Sequence, residues 1–301
     1  MMRKNLEFWL VVIVARTLGW LPREQARRMA GVLTWSVYQA HGRLRRVGLR
    51  NLALALPEVS TESRRAELLS GVFRHLGWQL VEFCRMSRYT PENTQDWMRT
   101  EGIDHYLAAK ARGKGVLILT GHLGAWELSS FYHSLMGYPM GMVARPLDNR
   151  RLDAFVNGIR CLHGNRVLPK DDFARGLLTS MRKGETVGIL MDTNMTPPQG
   201  VFVDFFGIPA CTASGLARIA LRTDAAVVPG FTIWDPVLRK YRLRFDPAVN
   251  LIRTGNDDAD AVANTALFTK IIEDYVRRYP DQWLWVHRRW KTRPEGQPGL
   301  Y

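Results

Sequence analysis

Val116-Leu117-Ile118-Leu119-Thr120-Gly121-His122-Leu123-Gly124-Ala125-Trp126-Glu127-Leu128 is the stretch on which the fold turns. Its first five residues form an apolar run bounded by Gly113, Gly115 and Gly121, the pattern of a central strand covered on both faces. The chain then turns at a glycine, presents a histidine and enters helix-compatible sequence that ends near Met136. His122 therefore stands at the carboxyl end of a strand, just ahead of a helix. Open α/β sheets place their ligands at such corners.

The same alternation continues downstream. Residues 103–111 are helical ahead of the central strand. Extended segments are expected at 140–144, 166–168, 187–191, 201–205, 226–233 and 241–245. Helices are expected at 148–161, 172–182, 212–222 and 257–279, and the polar, proline-rich residues 192–198 form a loop. Strands alternating with helices imply an α/β fold with a mostly parallel central sheet flanked by helices. Upstream of residue 100 the period is helical: 23–40, 43–56 and 61–88, the last capped by Thr61 or Ser60. This divides the chain into residues 1–22, a membrane anchor or interfacial helix, and 23–301, a single α/β domain whose residues 23–100 are a helical front end.

Residues 1–22 place Arg3 and Lys4 before an apolar run that Glu7 and Arg16 interrupt. The run is short of the ~20 apolar residues that span a bilayer. It admits three readings: an embedded or interfacial anchor, a cleaved signal, and a buried core helix. No small-x-small cleavage site precedes Pro22, and Trp9 and Trp20 near the ends suit a headgroup region, so the anchor is favoured.

The chain has 42 Lys and Arg against 28 Asp and Glu, a net charge of +14. Such a surface seeks polyanions: nucleic acid, anionic lipid or an acidic carrier protein. A mean hydropathy of −0.18 excludes a polytopic membrane protein. Three scattered cysteines, with no CxxC, encode neither a disulfide framework nor a zinc site. Basic helices beside an apolar anchor fit docking on an anionic leaflet, at ~1 kcal/mol per Lys or Arg.

His122 and Glu127 are the chemically sharp pair. Histidine titrates near neutrality, as a general base for an alcohol should, and a carboxylate on its other ring nitrogen would fix the tautomer. A spacing of five separates the two by about 140° on a continuous helix, so they meet only if His122 lies on the turn before it. An isolated HxxxxE is more often a helix-entry histidine and a solvated glutamate. Other chemistries lack their parts: there is no GxSxG, HExxH, GxxxxGK[ST] or GxGxxG. No metal site is expected. A nucleic-acid-binding protein is the rival class, but the aromatics sit in apolar runs rather than among basic residues.

Gly121-His122-Leu123-Gly124-Ala125-Trp126-Glu127 resembles the HX4(D/E) motif of glycerolipid acyltransferases. The ordered blocks Ala144-Arg145-Pro146-Leu147-Asp148-Asn149, Val167-Leu168-Pro169-Lys170, Val203-Asp204-Phe205-Phe206-Gly207-Ile208-Pro209-Ala210 and Trp283-Leu284-Trp285-Val286-His287-Arg288-Arg289-Trp290 are similar to those of the lipid A late acyltransferases, the lauroyl/myristoyl acyltransferase family. The likeness covers nearly the whole chain. Phosphatidylinositol mannoside acyltransferases share these blocks, so they and glycerophospholipid acyltransferases stand as alternatives. The resemblance implies acyl transfer from acyl-carrier protein or acyl-CoA to a hydroxyl of a lipid A precursor or related glycolipid. It implies no cofactor beyond that co-substrate, and a location on the cytoplasmic face of the bacterial inner membrane. It makes His122 the base and Glu127 its partner. Arg145, Asp148 and Asn149 fill a substrate-binding block, with Arg145 binding an anionic group or the developing oxyanion. Arg166 and Lys170 would contact phosphate. Asp192 is counted with the substrate-binding residues, at the family's acidic position after a strand, followed here by Thr193 in place of the usual glutamine or histidine.

Overall fold

The computed structural model describes residues 2–169 and 173–301. The chain opens with four helices: α1 (Met2–Trp20), α2 (Arg23–Ala40), α3 (Gly42–Ala55) and α4 (Glu62–Arg85). The Thr61 hydroxyl caps α4 by accepting from the Arg64 amide at 3.2 Å. No helix among the described residues is long and apolar enough to cross a membrane.

The body follows as β1 (Met98–Glu101), α5 (Ile103–Ala111), β2 (Val116–Thr120), α6 (Trp126–Leu135), β3 (Met140–Ala144), α7 (Arg150–Arg160), β4 (Arg166–Pro169) and α8 (Phe173–Arg182). It continues with β5 (Thr186–Leu190), β6 (Gly200–Phe205), β7 (Ile208–Ala213), α9 (Gly215–Thr223), β8 (Ala226–Asp235), β9 (Lys240–Phe245) and α10 (Asp257–Arg278). Among the described residues, seven strands form one sheet in the order β1-β9-β8-β2-β5-β3-β4. From β8 to β4 all neighbours are parallel, and β9 joins β8 antiparallel. The α/β class and the mostly parallel sheet flanked by helices are as the alternating pattern implied.

Two strands escaped that pattern. β1 is four residues long, with Arg99 exposed, and is the edge strand of the sheet, pairing only with β9. β7 pairs antiparallel with β6 in a separate hairpin, where Phe206-Gly207 supplies the turn with both residues at positive φ. Pro209 within β7 reads from sequence as a strand breaker, and a two-stranded ribbon tolerates it because one strand edge is free. The expected helix from residue 212 accordingly starts later, at Gly215.

β2 lies at the centre, and its alternate side chains enter opposite layers. Leu117 and Leu119 join the core with Val187, Ile189, Phe231 and Trp283. Val116 and Ile118 join the other face with Tyr106, Leu128, Phe131 and Val228. This explains the unbroken apolar run. Truncating Leu117, Ile118 or Leu119 to alanine would cost ~2–5 kcal/mol.

Candidate active site

β2 and β5 pair in parallel, with Val116 opposite Thr186 and Thr120 opposite Leu190. Carried two residues past the strand ends, this register sets His122 opposite Asp192. The contact is present. His122 Nδ1 lies 2.8 Å from Asp192 Oδ1, and the His122 amide donates to Asp192 Oδ2 at 2.7 Å. The Trp283 indole N–H donates to Oδ2 at 2.7 Å. Asp192 is fully enclosed, whereas about a fifth of the His122 side chain reaches solvent.

Backbone geometry builds this corner. At Gly121 a Cβ would come within 3.1 Å of the Asp192 carboxylate, so a larger residue there would press on the acid. Gly124 has φ +61°, and a Cβ there would lie 2.0 Å from the Thr232 carbonyl oxygen. The loop is stitched on both sides. Ala125 N–H donates to Thr232 O, Gly124 N–H donates to Gln282 O, and Leu284 N–H donates to His122 O. Gln282 also bonds both backbone groups of Trp234, so residues 280–293, the C-terminal strap that follows α10, are fastened to β8.

The electrostatics follow from burial against pairing. Burial alone would lower the His122 pKa; the charge and hydrogen bond of Asp192, with a smaller contribution from Glu127, raise it above the usual imidazole value. Burial would raise the Asp192 carboxyl, but His122 and the Trp283 N–H hold it below the usual carboxylate range. With the ionised Asp192 accepting from Nδ1–H, the Nε2 lone pair of neutral His122 is left to act as a base.

The other sequence candidates divide by position. α6 starts at Trp126, so His122 does lie on the turn before the helix. Glu127, in the first helical turn, nonetheless bonds elsewhere. Both its oxygens meet the Arg160 guanidinium, with Nε to Oε2 at 2.9 Å. The carboxylate that the imidazole touches is thus Asp192, across the sheet, rather than the one five residues on. Arg145 directly follows β3, two strands from β2, at the same carboxyl edge. That places it roughly 10 Å from the corner in the sheet direction. It is exposed and forms no ion pair among the described residues.

The Asp148 carbonyl and the Asn149 side chain are engaged elsewhere. Asn149 Oδ1 caps α7 by accepting from the Arg151 amide, and its Nδ2 donates to Lys4 O and Glu7 Oε2. Lys4 Nζ donates to Asp148 O at 2.8 Å. This block pins α1 to α7. Arg166 opens β4 and pairs with Glu185, just ahead of β5, so it sits at the opposite, amino edge of the sheet. By register it is level with Leu117, roughly 17 Å along the strand from His122. The structure does not bring it to the corner. Lys170 lies outside the described residues. Among those described, no cluster of His, Cys, Asp and Glu could hold a metal.

Residues that pattern reading left without roles surround the dyad. Trp283 has been described. His287 Nε2 accepts the Asn194 amide at 3.0 Å, and burial, with His122 and Arg289 nearby, lowers its pKa despite Asp192. Arg289 is fully buried. It donates to Thr193 O, Cys211 O and Thr212 Oγ1, tying the strap to β7 and to the loop after Asp192. Burial lowers its pKa to about 10, with Asp192 opposing. A signal was present: two buried strands, VLILT and TVGIL, each followed within two residues by a polar group.

The model of the bacterial lipid A biosynthesis acyltransferases matches residues 1–292. The chain belongs to this family. It is 30% identical over 253 residues to the lipid A biosynthesis lauroyltransferase of Escherichia coli (strain K12), covering 84% of this chain and 80% of that one. The palmitoleoyltransferase of the same organism is 29% identical over 257 residues, with 85% and 81% covered. The myristoyltransferase is 24% identical over 253 residues, with 84% and 77% covered. The chain is therefore an acyltransferase of lipid A biosynthesis, and the His122–Asp192 corner lies within the matched region.

Proposed function

We propose that this acyltransferase moves a fatty acyl chain from an acyl thioester, on acyl-carrier protein or coenzyme A, to a hydroxyl of a lipid A precursor, with His122 as general base. The supporting observation is that Asp192 occupies Nδ1 and leaves Nε2 for the substrate proton. As Nε2 takes that proton, the hydroxyl oxygen attacks the thioester carbonyl. The carbon–oxygen bond forms, the carbon–sulfur bond breaks, and the imidazolium returns its proton to the departing thiolate. Asp192 stabilises the imidazolium in the interval, as the acid does in a Ser-His-Asp triad. Glu127 and Arg160 are read as a positioning pair. Arg145, at the same edge, is read as binding an anionic substrate group or the oxyanion.

The acyl chain needs an apolar slot, since each buried CH₂ contributes about 0.8 kcal/mol. α7 offers Leu152, Phe155, Val156 and Ile159 at helical spacing, all half-buried, on the helix whose Arg160 holds Glu127. Membrane docking is read as interfacial, on the cytoplasmic face of the inner membrane. Leu6, Trp9, Leu10 and Ile13 of α1 are exposed, as are Val32 and Trp35 of α2, beside a front end rich in arginine. The decisive experiment is His122→Ala in an assay of labelled acyl transfer to a lipid A precursor. The expected result is a loss of at least a thousandfold; near-wild-type transfer would remove the base assignment.

A further inference from the structure

Next to the segments that carry the dyad, the surface opens into a second feature that the acyl-transfer chemistry does not use. An open pocket of about 730 Å3 is lined by His41, Arg43, Arg288 and Lys291, with Asn194 and His287 among its other walls. Its apolar wall is Leu44, Val47 and Val286. No carboxylate lines it. Arg43, Arg288 and Lys291 form no ion pair among the described residues, although elsewhere many arginines of this chain have found an acidic partner. Three positive charges gathered without a counter-charge repel one another, and a bound anion would relieve this. Arg offers a planar fork that matches phosphate, and Lys a point charge for it.

The cavity and the dyad share the same two segments. Asn194 lies two residues beyond Asp192, and its amide donates to His287 Nε2. Leu284, three residues before His287, donates its amide to the His122 carbonyl. A group held in the cavity is thereby indexed to the reactive histidine. The volume falls in the ~300–1,000 Å3 range of small-molecule sites and exceeds what a phosphate alone would fill. The apolar wall would take the sugar or alkyl portion that carries it.

We infer that this cavity is a phosphate-recognition subsite, in which Arg43, Arg288 and Lys291 hold a phosphate group of one of the two substrates while the His122 corner works on the other end. The inference rests on the acyl-transfer reading above. The phosphate has two possible sources: a phosphate on the acceptor lipid, or the phosphodiester of the pantetheine arm that carries the acyl thioester. The chemistry of recognition is the same for both.

The test compares the full-length chain with its Arg43→Gln/Arg288→Gln/Lys291→Gln variant. One arm measures kcat/KM with acceptor bearing or lacking its phosphates, the donor held constant. The second uses an acyl-phosphopantetheine or an acyl-pantetheine donor, the acceptor held constant. In the arm that supplies the recognised phosphate, wild type should lose at least tenfold when the phosphate is removed. The variant should lose at least tenfold with the intact substrate, and less than threefold more when the phosphate is then removed. Equal sensitivity of wild type and variant in both arms would overturn the inference. So would an equal loss in Lys114→Gln/Arg182→Gln/Lys183→Gln, which removes three exposed cations at the other edge of the sheet. Equilibrium dialysis with labelled pyrophosphate tests the cavity without turnover. Saturable binding that weakens at least tenfold in the first variant supports the subsite, and unchanged binding sinks it. If wild type transfers no acyl group, the acyl-transfer reading has failed, and dialysis still judges the cavity. Thermal melting of each variant confirms that it is folded.

Discussion

Trp283 donates its indole N–H to the Asp192 carboxylate at 2.7 Å, joining the C-terminal strap to the acid that orients His122. Trp283 is itself buried in the core beside Phe205 and Trp285. The position of the acid is therefore set by core packing as well as by its own strand. Moving the strap would move the carboxylate, and the imidazole with it.

The first expectation concerns pH. A general base must be neutral, and the His122 pKa is raised by Asp192, so the acid limb of the kcat/KM profile should lie above about 6.5. Asp192→Asn removes the raising influence and leaves burial, so the limb should move to lower pH. The rate should fall by roughly 10²–10⁴-fold, as when a triad loses its acid. A limb that stays in place would detach Asp192 from His122. Stability has its own signature. The raised His122 pKa stabilises the fold fully below about 6.5 and loses this as pH rises through the folded value. The depressed Asp192 pKa stabilises above about 3.9 and loses this as pH falls through its lower folded value.

Glu127 and Arg160 should behave as one unit. Each side chain is about one-fifth exposed, and each satisfies the other. Glu127→Gln and Arg160→Gln should reduce kcat/KM by similar factors, roughly ten- to a hundredfold. The double variant should be little worse than either, a coupling above about 1 kcal/mol. Additive losses would mean that the two residues act separately on substrate.

Gly124→Ala tests the corner's backbone. The new Cβ would meet the Thr232 carbonyl at 2.0 Å with φ at +61°, so both must shift. A loss of about 2–4 kcal/mol is expected from the urea midpoint, together with a fall in kcat. Gly137→Ala is the control. It has φ +88° but open space around the Cβ, and should cost only about 1 kcal/mol.

Interfacial docking can be read on vesicles. Trp9 is 51% and Trp35 58% exposed. Replacing both by glutamate should weaken co-sedimentation with anionic vesicles at least tenfold, since each ring contributes about 2 kcal/mol when buried. Unchanged partitioning would remove α1 and α2 from the docking face.

Much of the architecture was legible in the chain. The apolar run 116–120, its flanking glycines and the repeated strand–helix alternation specified a buried parallel sheet, because such strands carry apolar side chains on both faces. They also placed His122 on the turn before a helix. The short edge strand β1 and the hairpin strand β7 were hidden, one by its length and the other by Pro209. The partner of His122 was hidden for a different reason. Local spacing pointed to Glu127, five residues on, whereas Asp192 lies 70 positions away and meets the imidazole only through the register of β2 against β5. Arg145 reached the same edge because β3 runs parallel to β2, while the parallel register of β4 carried Arg166 to the far one.

By itself, then, the sequence determined what is local: which residues form strands and helices, where the chain can turn, and which histidine stands at a strand end. Those follow from side-chain periodicity and glycine's backbone freedom, which act within a few residues. Only the tertiary structure decided which carboxylate serves that histidine, and that Trp283, His287 and Arg289 close around it. Pairing of strands distant in sequence is set by the collective burial of two cores, and no short window of the chain contains that information.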